Sequence, residues 1–196
     1  EDIRSAVDAG LTAFGENYVQ EALEKISLLS EENLEWHFIG PLQSNKTRVV
    51  AENFAWVHSV DRLKIAQRLS EQRPAALEPL NICLQVNIDN EASKSGFTAA
   101  ETLAAALQVV TLPNLRLRGL MAIPQSQPTL DQQKSAFCSL HKLREQINQS
   151  LDNQEKLDTL SMGMSNDLEA SISQGSTIIR VGTDIFGKRD NKREKH

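Results

Sequence analysis

Arg180 stands inside an apolar run, Ile178-Ile179-Arg180-Val181, that ends on Gly182-Thr183. A guanidinium has no packing use in a β-branched strand and is rarely buried unless something accepts its hydrogen bonds. An acceptor or an anion is therefore expected at the strand end. Gly182 lets the backbone approach an anion closely, and Thr183 adds a hydroxyl. A second donor-rich corner lies in SMGMSNDLEASISQG (161–175), where Ser165 reads as a helix N-cap with the amides of Asn166 and Asp167 free in the first turn. Two such corners side by side fit one phosphate. Ordinary helix capping is the alternative, and the Asp167 carboxylate, which suits the same helix dipole, weakens the anion reading. Arg180 lies two residues before Gly182 and shares its side of the strand. There it can donate to a ligand ring nitrogen or to a second anionic group, with an internal ion pair as the competing use.

Other candidates are individually ambiguous. His37 in EWHFIG and His58 in WVHSV read as hydrogen-bonded core residues in preference to catalysts. Asn17, in GENY, sits at a strand-to-helix turn and is a ligand contact or a cap. Lys46 and Lys94, each in a polar loop, face a phosphate or solvent. Trp36 and Trp56 read as packing between sheet and helices. No histidine–carboxylate spacing suggests a metal site. Cys83 and Cys138 belong to separate apolar patterns and read as reduced core thiols.

The elements that must position these residues alternate along the chain. Strand candidates are 11–16, 35–40, 56–60, 81–88, 115–123, 159–164 and 177–182, and amphipathic helices lie between them. One helical stripe is Val19, Leu23, Ile26 and Leu29, a second Leu103, Leu107 and Val110, a third Phe137, Leu140, Leu143 and Ile147. Thr98 to Glu101 forms a capping box that starts the second of these helices. Residues 124–130 read as a loop. This alternation predicts an α/β fold, a (β/α)8 TIM barrel with one strand lacking, and an open doubly wound sheet is the competing architecture. The barrel is favoured because the polar residues gather after successive strands, where barrels carry their chemistry.

With 196 residues, 40% of them hydrophobic, one domain with a sizeable core is expected, spanning 1–187. The segment 188–196 carries five basic and two acidic residues and no apolar one, and reads as a solvated tail. A net charge of -5 argues against nucleic acid or an anionic membrane as partner and favours a small molecule. No signal peptide and no membrane-spanning stretch is visible, so a cytoplasmic location is the expectation.

FGENYVQEALEKI (14–26), EWHFIGPLQSNK (35–46), HSVDRLKIAQRL (58–69), SKSGF (93–97), LRLRGLMAIP (115–124) and LSMGMSNDLEASISQGSTIIRVGTDIFGKR (160–189) together resemble the pyridoxal phosphate homeostasis protein family, relatives of the barrel domain of alanine racemase. The resemblance covers nearly the whole chain. It implies a barrel of the alanine racemase N-terminal type holding pyridoxal 5'-phosphate, with Ser165, Gly182 and Thr183 on the phosphate, Arg180 facing the pyridine nitrogen, and Asn17, His37 and Met162 lining the ring. It also implies a Schiff-base lysine on a first strand that would precede residue 1, so that the N-terminal segment bearing it is expected to lie outside this chain; Lys46 and Lys94 are the conceivable substitutes. Asp184 departs from the small residue usual at its position, and beside a phosphate turn it should weaken the site unless it points outward. The implied function is a non-catalytic carrier or buffer of the cofactor, a monomer whose partners are apo-enzymes that use it. An amino-acid racemase and a barrel enzyme acting on another phosphorylated metabolite are the alternatives.

Overall fold

The computed structural model describes residues 2–91 and 93–187; the tail expected at 188–196, with His196, lies outside them. Seven strands, β1 Ala13–Glu16, β2 Glu35–Phe38, β3 Trp56–Val60, β4 Leu80–Gln85, β5 Leu115–Met121, β6 Thr159–Met164 and β7 Ile178–Arg180, pair in parallel in sequential order. A doubly wound sheet would reverse its strand order at a switch point. The unbroken order rules that alternative out, and the result is a nearly closed parallel barrel with helices outside.

The helices are α1 Asp2–Asp8, α2 Val19–Leu28, α3 Thr47–Asn53, α4 Leu63–Gln72, α5 Ala99–Val109, α6 Leu130–Asn148, α7 Leu168–Ser173 and α8 Thr183–Phe186. Thr98 caps α5 through the expected box, its side chain accepting from the Glu101 amide while the Glu101 carboxylate takes the Thr98 amide. The α6 stripe is buried as its spacing predicts, with Phe137, Leu140, Leu143 and Ile147 against the sheet. In α5 two of the three expected stripe residues, Leu103 and Val110, pack against the core partly buried. Leu107 is exposed, whereas Thr102, Ala105, Ala106 and Val109 are buried, because small residues let that helix approach the sheet closely.

Side chains alternate between the two faces of the sheet. Phe14, Trp36, Phe38, Val57, Ile82 and Leu160 join the helices in the main core, with Phe38 edge-on to Phe54 at 5.5 Å. Trp56, Cys83 and Met121 form a separate, smaller cluster that Ile178 joins, on the barrel interior. The register between β4 and β5 jumps from Ile82↔Leu117 to Cys83↔Gly119. This bulge re-phases β5, so that Leu117 and Leu120 both reach the main core while Met121 turns inward.

Candidate functional site

β7 carries Arg180 on the same face as Ile178, and that face is the barrel interior. The guanidinium donates from Nη1 to Ser161 Oγ at 2.7 Å and from Nη2 to the Ala122 carbonyl at 3.1 Å. Ser161, on β6, is fully buried and lies 2.7 Å from His58 Nδ1. His58 Nε2 meets His37 Nδ1 at 2.9 Å, and His37 Nε2 meets Glu35 Oε1 at 2.9 Å. A continuous file of polar groups thus crosses the interior from β7 through β6 and β3 to β2. It ends on the half-exposed Glu35 at the first residue of its strand. The His37 ring stacks on Trp56, 5.4 Å away and within 8° of parallel, and the Arg118 guanidinium lies 4.8 Å over the indole. Trp56 is therefore an interior residue, not a sheet-to-helix packing residue as expected. It shares the strand face of His58.

Burial governs the electrostatics. It pushes His58 from 6.5 down to about 3, helped by the His37 and Arg180 charges, and it lowers His37 against the opposing pull of Glu35. Both imidazoles are neutral at pH 7. Burial also lowers Arg180 to about 10, with Asp167 and Cys83 pulling the other way, so the guanidinium stays cationic. Among the described residues no carboxylate lies within ion-pairing distance of it. The internal ion pair weighed from the sequence is absent there. The described residues accept from two of the five N–H donors of Arg180, which leaves donors for an acceptor outside the chain. Among the described residues no set of His, Cys, Asp and Glu side chains converges as a metal site.

Around the carboxyl ends of the strands the expected corners take a different local form. Ser165 is half-buried in a turn, not at a helix N-cap, because the Asp167 carboxylate accepts from the Met164 amide at 2.6 Å and the helix starts only at Leu168. The Asp167 amide is used too, donating to the Met164 carbonyl. Gly182 precedes α8, and a Cβ placed on it would meet nothing within 4 Å. The space above Gly182 and the exposed Thr183 is open, and first-turn amides have no acceptor within their own helix. Asp184 is exposed.

Asn17 is half-buried after β1, the edge strand at the other end of the sheet order from β7. Its backbone touches Gly40, where any Cβ would overlap the Asn17 carbonyl, and the Gly40 carbonyl accepts from Ser59 Oγ at 2.5 Å. Glycine at 40 is what lets the loops after β1 and β2 close on one another. His37 is buried in the interior, but both its ring nitrogens are engaged. Met162 lies on the strand face opposite Ser161, fully buried in the main core. Its side chain therefore cannot line a ring in the interior; the strand phase puts it outward.

The two conceivable substitute lysines are also placed away from the interior file. Lys46 is exposed. Burial pulls the Lys94 ammonium down, but hydrogen bonds and charge from Glu91 and Asp89 outweigh it and hold it protonated, 2.7 Å from Glu91 and 3.2 Å from Asp89. The sequence reading gives Ser161, Glu35 and an interior Trp56 no role. Their only signal is a polar or aromatic side chain at alternate positions of buried strands, Glu35-x-His37 and Trp56-x-His58.

The family profile described as the alanine racemase N-terminal domain matches residues 2–190. A protein named pyridoxal phosphate homeostasis protein from Pseudomonas aeruginosa is 60% identical over 188 residues, covering 96% of this chain and 79% of that protein. The protein of the same name from Escherichia coli K12 is 52% identical over 198 residues, covering 96% and 80%. The solved structure of PipY from Synechococcus elongatus with pyridoxal phosphate bound superposes with a TM-score of 0.85 at 37% identity, over 94% of this chain and 86% of that one. Alanine racemase from Clostridium difficile shares the fold, with a TM-score of 0.69 at 14% identity over 94% of this chain and 47% of the racemase.

Proposed function

Because the chain belongs to the family described as the alanine racemase N-terminal domain, we propose that it binds pyridoxal 5'-phosphate at the carboxyl-end mouth of its barrel and serves intracellular homeostasis of that cofactor. In this reading it holds the cofactor without turning over a substrate. The Arg180 guanidinium donates to the pyridine nitrogen, the Gly182 and Thr183 corner with the Ser165 hydroxyl takes the phosphate, Asn17 borders the rim after β1, and His37 lies beneath. The observation that carries this reading is the half-buried, cationic Arg180 with no carboxylate partner among the described residues, beside an open glycine corner. A partly desolvated guanidinium in that position favours an acceptor-bearing, anionic ligand.

When bound, the cofactor supplies a reactive aldehyde and an electron-accepting ring. Arg180, a donor that cannot accept, keeps a proton off the ring nitrogen and so makes the ring a poor electron sink. Racemisation also needs a second base on the far face of the substrate carbon. Here both interior imidazoles are engaged on both nitrogens, and the only tyrosine, Tyr18, is largely exposed. The same reading makes apo-enzymes that use the cofactor its recipients, and the chain a cytoplasmic monomer. Among the described residues no helix is long and apolar enough to cross a membrane.

Titration of the purified chain with pyridoxal 5'-phosphate, followed by absorbance and fluorescence, tests this. Saturable binding is expected, with pyridoxal lacking the phosphate bound more weakly, and no racemisation of alanine. Arg180→Met should weaken binding roughly tenfold or more, the loss of a charge-assisted hydrogen bond. Absence of saturable binding, or equal affinity in the Arg180 variant, overturns the assignment, and racemisation at enzymatic rates would replace the carrier by a racemase.

A further inference from the structure

Behind Arg180 the barrel interior carries a hydroxyl, two imidazoles and a carboxylate in single file, which cofactor contact alone does not explain. The proton positions along this file follow from the donor inventory. A guanidinium can only donate, so Ser161 Oγ accepts in the 2.7 Å contact with Arg180 Nη1. The serine hydrogen then goes to His58 Nδ1 at 2.7 Å, which must be unprotonated to accept it. A neutral His58 carries its proton on Nε2 and donates to His37 Nδ1 at 2.9 Å. His37 is left with its proton on Nε2, donating to Glu35 Oε1 at 2.9 Å. Each link has one donor and one acceptor. The opposite order is worse at both ends: Ser161, accepting from both Arg180 and His58, would leave its own hydrogen without an acceptor among the described residues, and an unprotonated His37 Nε2 would face the Glu35 carboxylate.

We propose that Glu35, His37, His58 and Ser161 are positioning residues for Arg180, forming one directional hydrogen-bond chain, with both imidazoles neutral and protonated on Nε2, that fixes the plane of the guanidinium at the mouth of the barrel. Two anchors on different nitrogens, Ser161 and the Ala122 carbonyl, define that plane. The stack of His37 on Trp56 holds the middle of the chain, and the cation at one end and the carboxylate at the other favour the same direction of every dipole between them. The remaining ionisable groups coupled to the file are Cys83 on β4, Arg118 on β5, Asp158 before β6 and Asp167 after it. None of them hydrogen-bonds to an imidazole of the chain among the described residues. What the held guanidinium faces rests on the proposed cofactor site; the order of protons does not.

Nuclear magnetic resonance of the ligand-free, nitrogen-labelled full chain tests the proposal without any cofactor. Long-range proton–nitrogen correlation should find both His37 and His58 protonated on Nε2 alone between about pH 6 and 8, the range in which a free histidine titrates. The two Arg180 Nη signals should be resolved, as for a guanidinium that does not rotate. Ser161→Ala and His58→Leu should merge those signals, whereas His58→Asn, whose Oδ1 can stand in for the accepting Nδ1, should keep them apart. An Nδ1-protonated or cationic ring at neutral pH, or resolved Nη signals in both Ser161→Ala and His58→Leu, overturns the proposal. If those variants do not fold, the tautomers of the unaltered chain decide. With pyridoxal 5'-phosphate as probe, Ser161→Ala should bind several-fold more weakly while His58→Asn stays close to the unaltered chain; a chain that binds none refutes the cofactor site and leaves the tautomer result to stand by itself.

Discussion

The two faces of the seven-stranded sheet are equally dry but chemically opposite. Toward the helices, Phe38, Val57, Ile82, Leu160 and Met162 are buried and apolar. Toward the interior, His37, His58 and Ser161 are just as buried and lie beside Trp56, Cys83 and Arg180. Contacts on the outer face are non-directional, so they tolerate exchange of one apolar shape for another. On the inner face each link of the polar file pairs one donor with one acceptor, and removing one leaves a buried polar group unsatisfied. Burial alone therefore does not mark the functional face. A matched sequence of polar groups on the face that carries Trp56, Cys83 and Met121 does.

If that division holds, damage to one face should spare the other. Phe137→Ala removes a fully buried ring from the outer core and should cost about 3–5 kcal/mol in urea unfolding. Its folded fraction should still bind pyridoxal 5'-phosphate with unchanged affinity. An affinity loss at full folding would mean that the two faces are not separable. Gly40→Ala acts on the rim instead. The new methyl overlaps the Asn17 carbonyl, so the loops after β1 and β2 must separate, at a cost of about 1–3 kcal/mol. Amide signals of Asn17 and Ser59 should move and cofactor affinity should fall, while the interior tautomers stay as they are. Unchanged stability and unchanged Asn17 signals would show that the rim is not built on that contact.

How far the sequence discloses each face follows the same division. The outer face repeats, and repetition is readable: 56–60 and 159–164 are strands to the residue, and the α6 stripe is buried throughout. On α5 Leu103 and Val110 pack against the core as expected, but Leu107 does not, and Ala105 and Ala106 take the closest approach because small side chains set how near a helix can come. In the interior, Arg180 is legible as an anomaly, a charge in an apolar strand. Its supporting chain is not, since His37 lies 21 residues from His58 and His58 lies 103 from Ser161. Trp56 points inward in a strand buried at all five positions, so no alternation betrays its direction. Ser165 looks like a helix cap by composition, but the Asp167 side chain captures the Met164 amide first and delays the helix.

The smallest expected effect separates the faces by pH. His58 is neutral when folded, held down to about 3 by burial with the His37 and Arg180 charges, and titrates near 6.5 once unfolded. Between those values the unfolded chain binds the extra proton and the folded chain does not, so acid favours unfolding. The stabilisation is whole well above pH 6.5 and is lost as the pH falls toward 3, the loss for His58 reaching roughly 1–2 kcal/mol at about pH 5.5. His37, lowered for the same first reason, adds in the same direction. Urea unfolding of the unaltered chain and of His58→Asn across this range should therefore differ in slope, the variant losing less stability on acidification, whereas Phe137→Ala should run parallel to the unaltered chain. Parallel curves for all three would mean that the buried imidazole already carries its proton in the fold, and the inner face would then be a charged cluster and not a neutral hydrogen-bond chain.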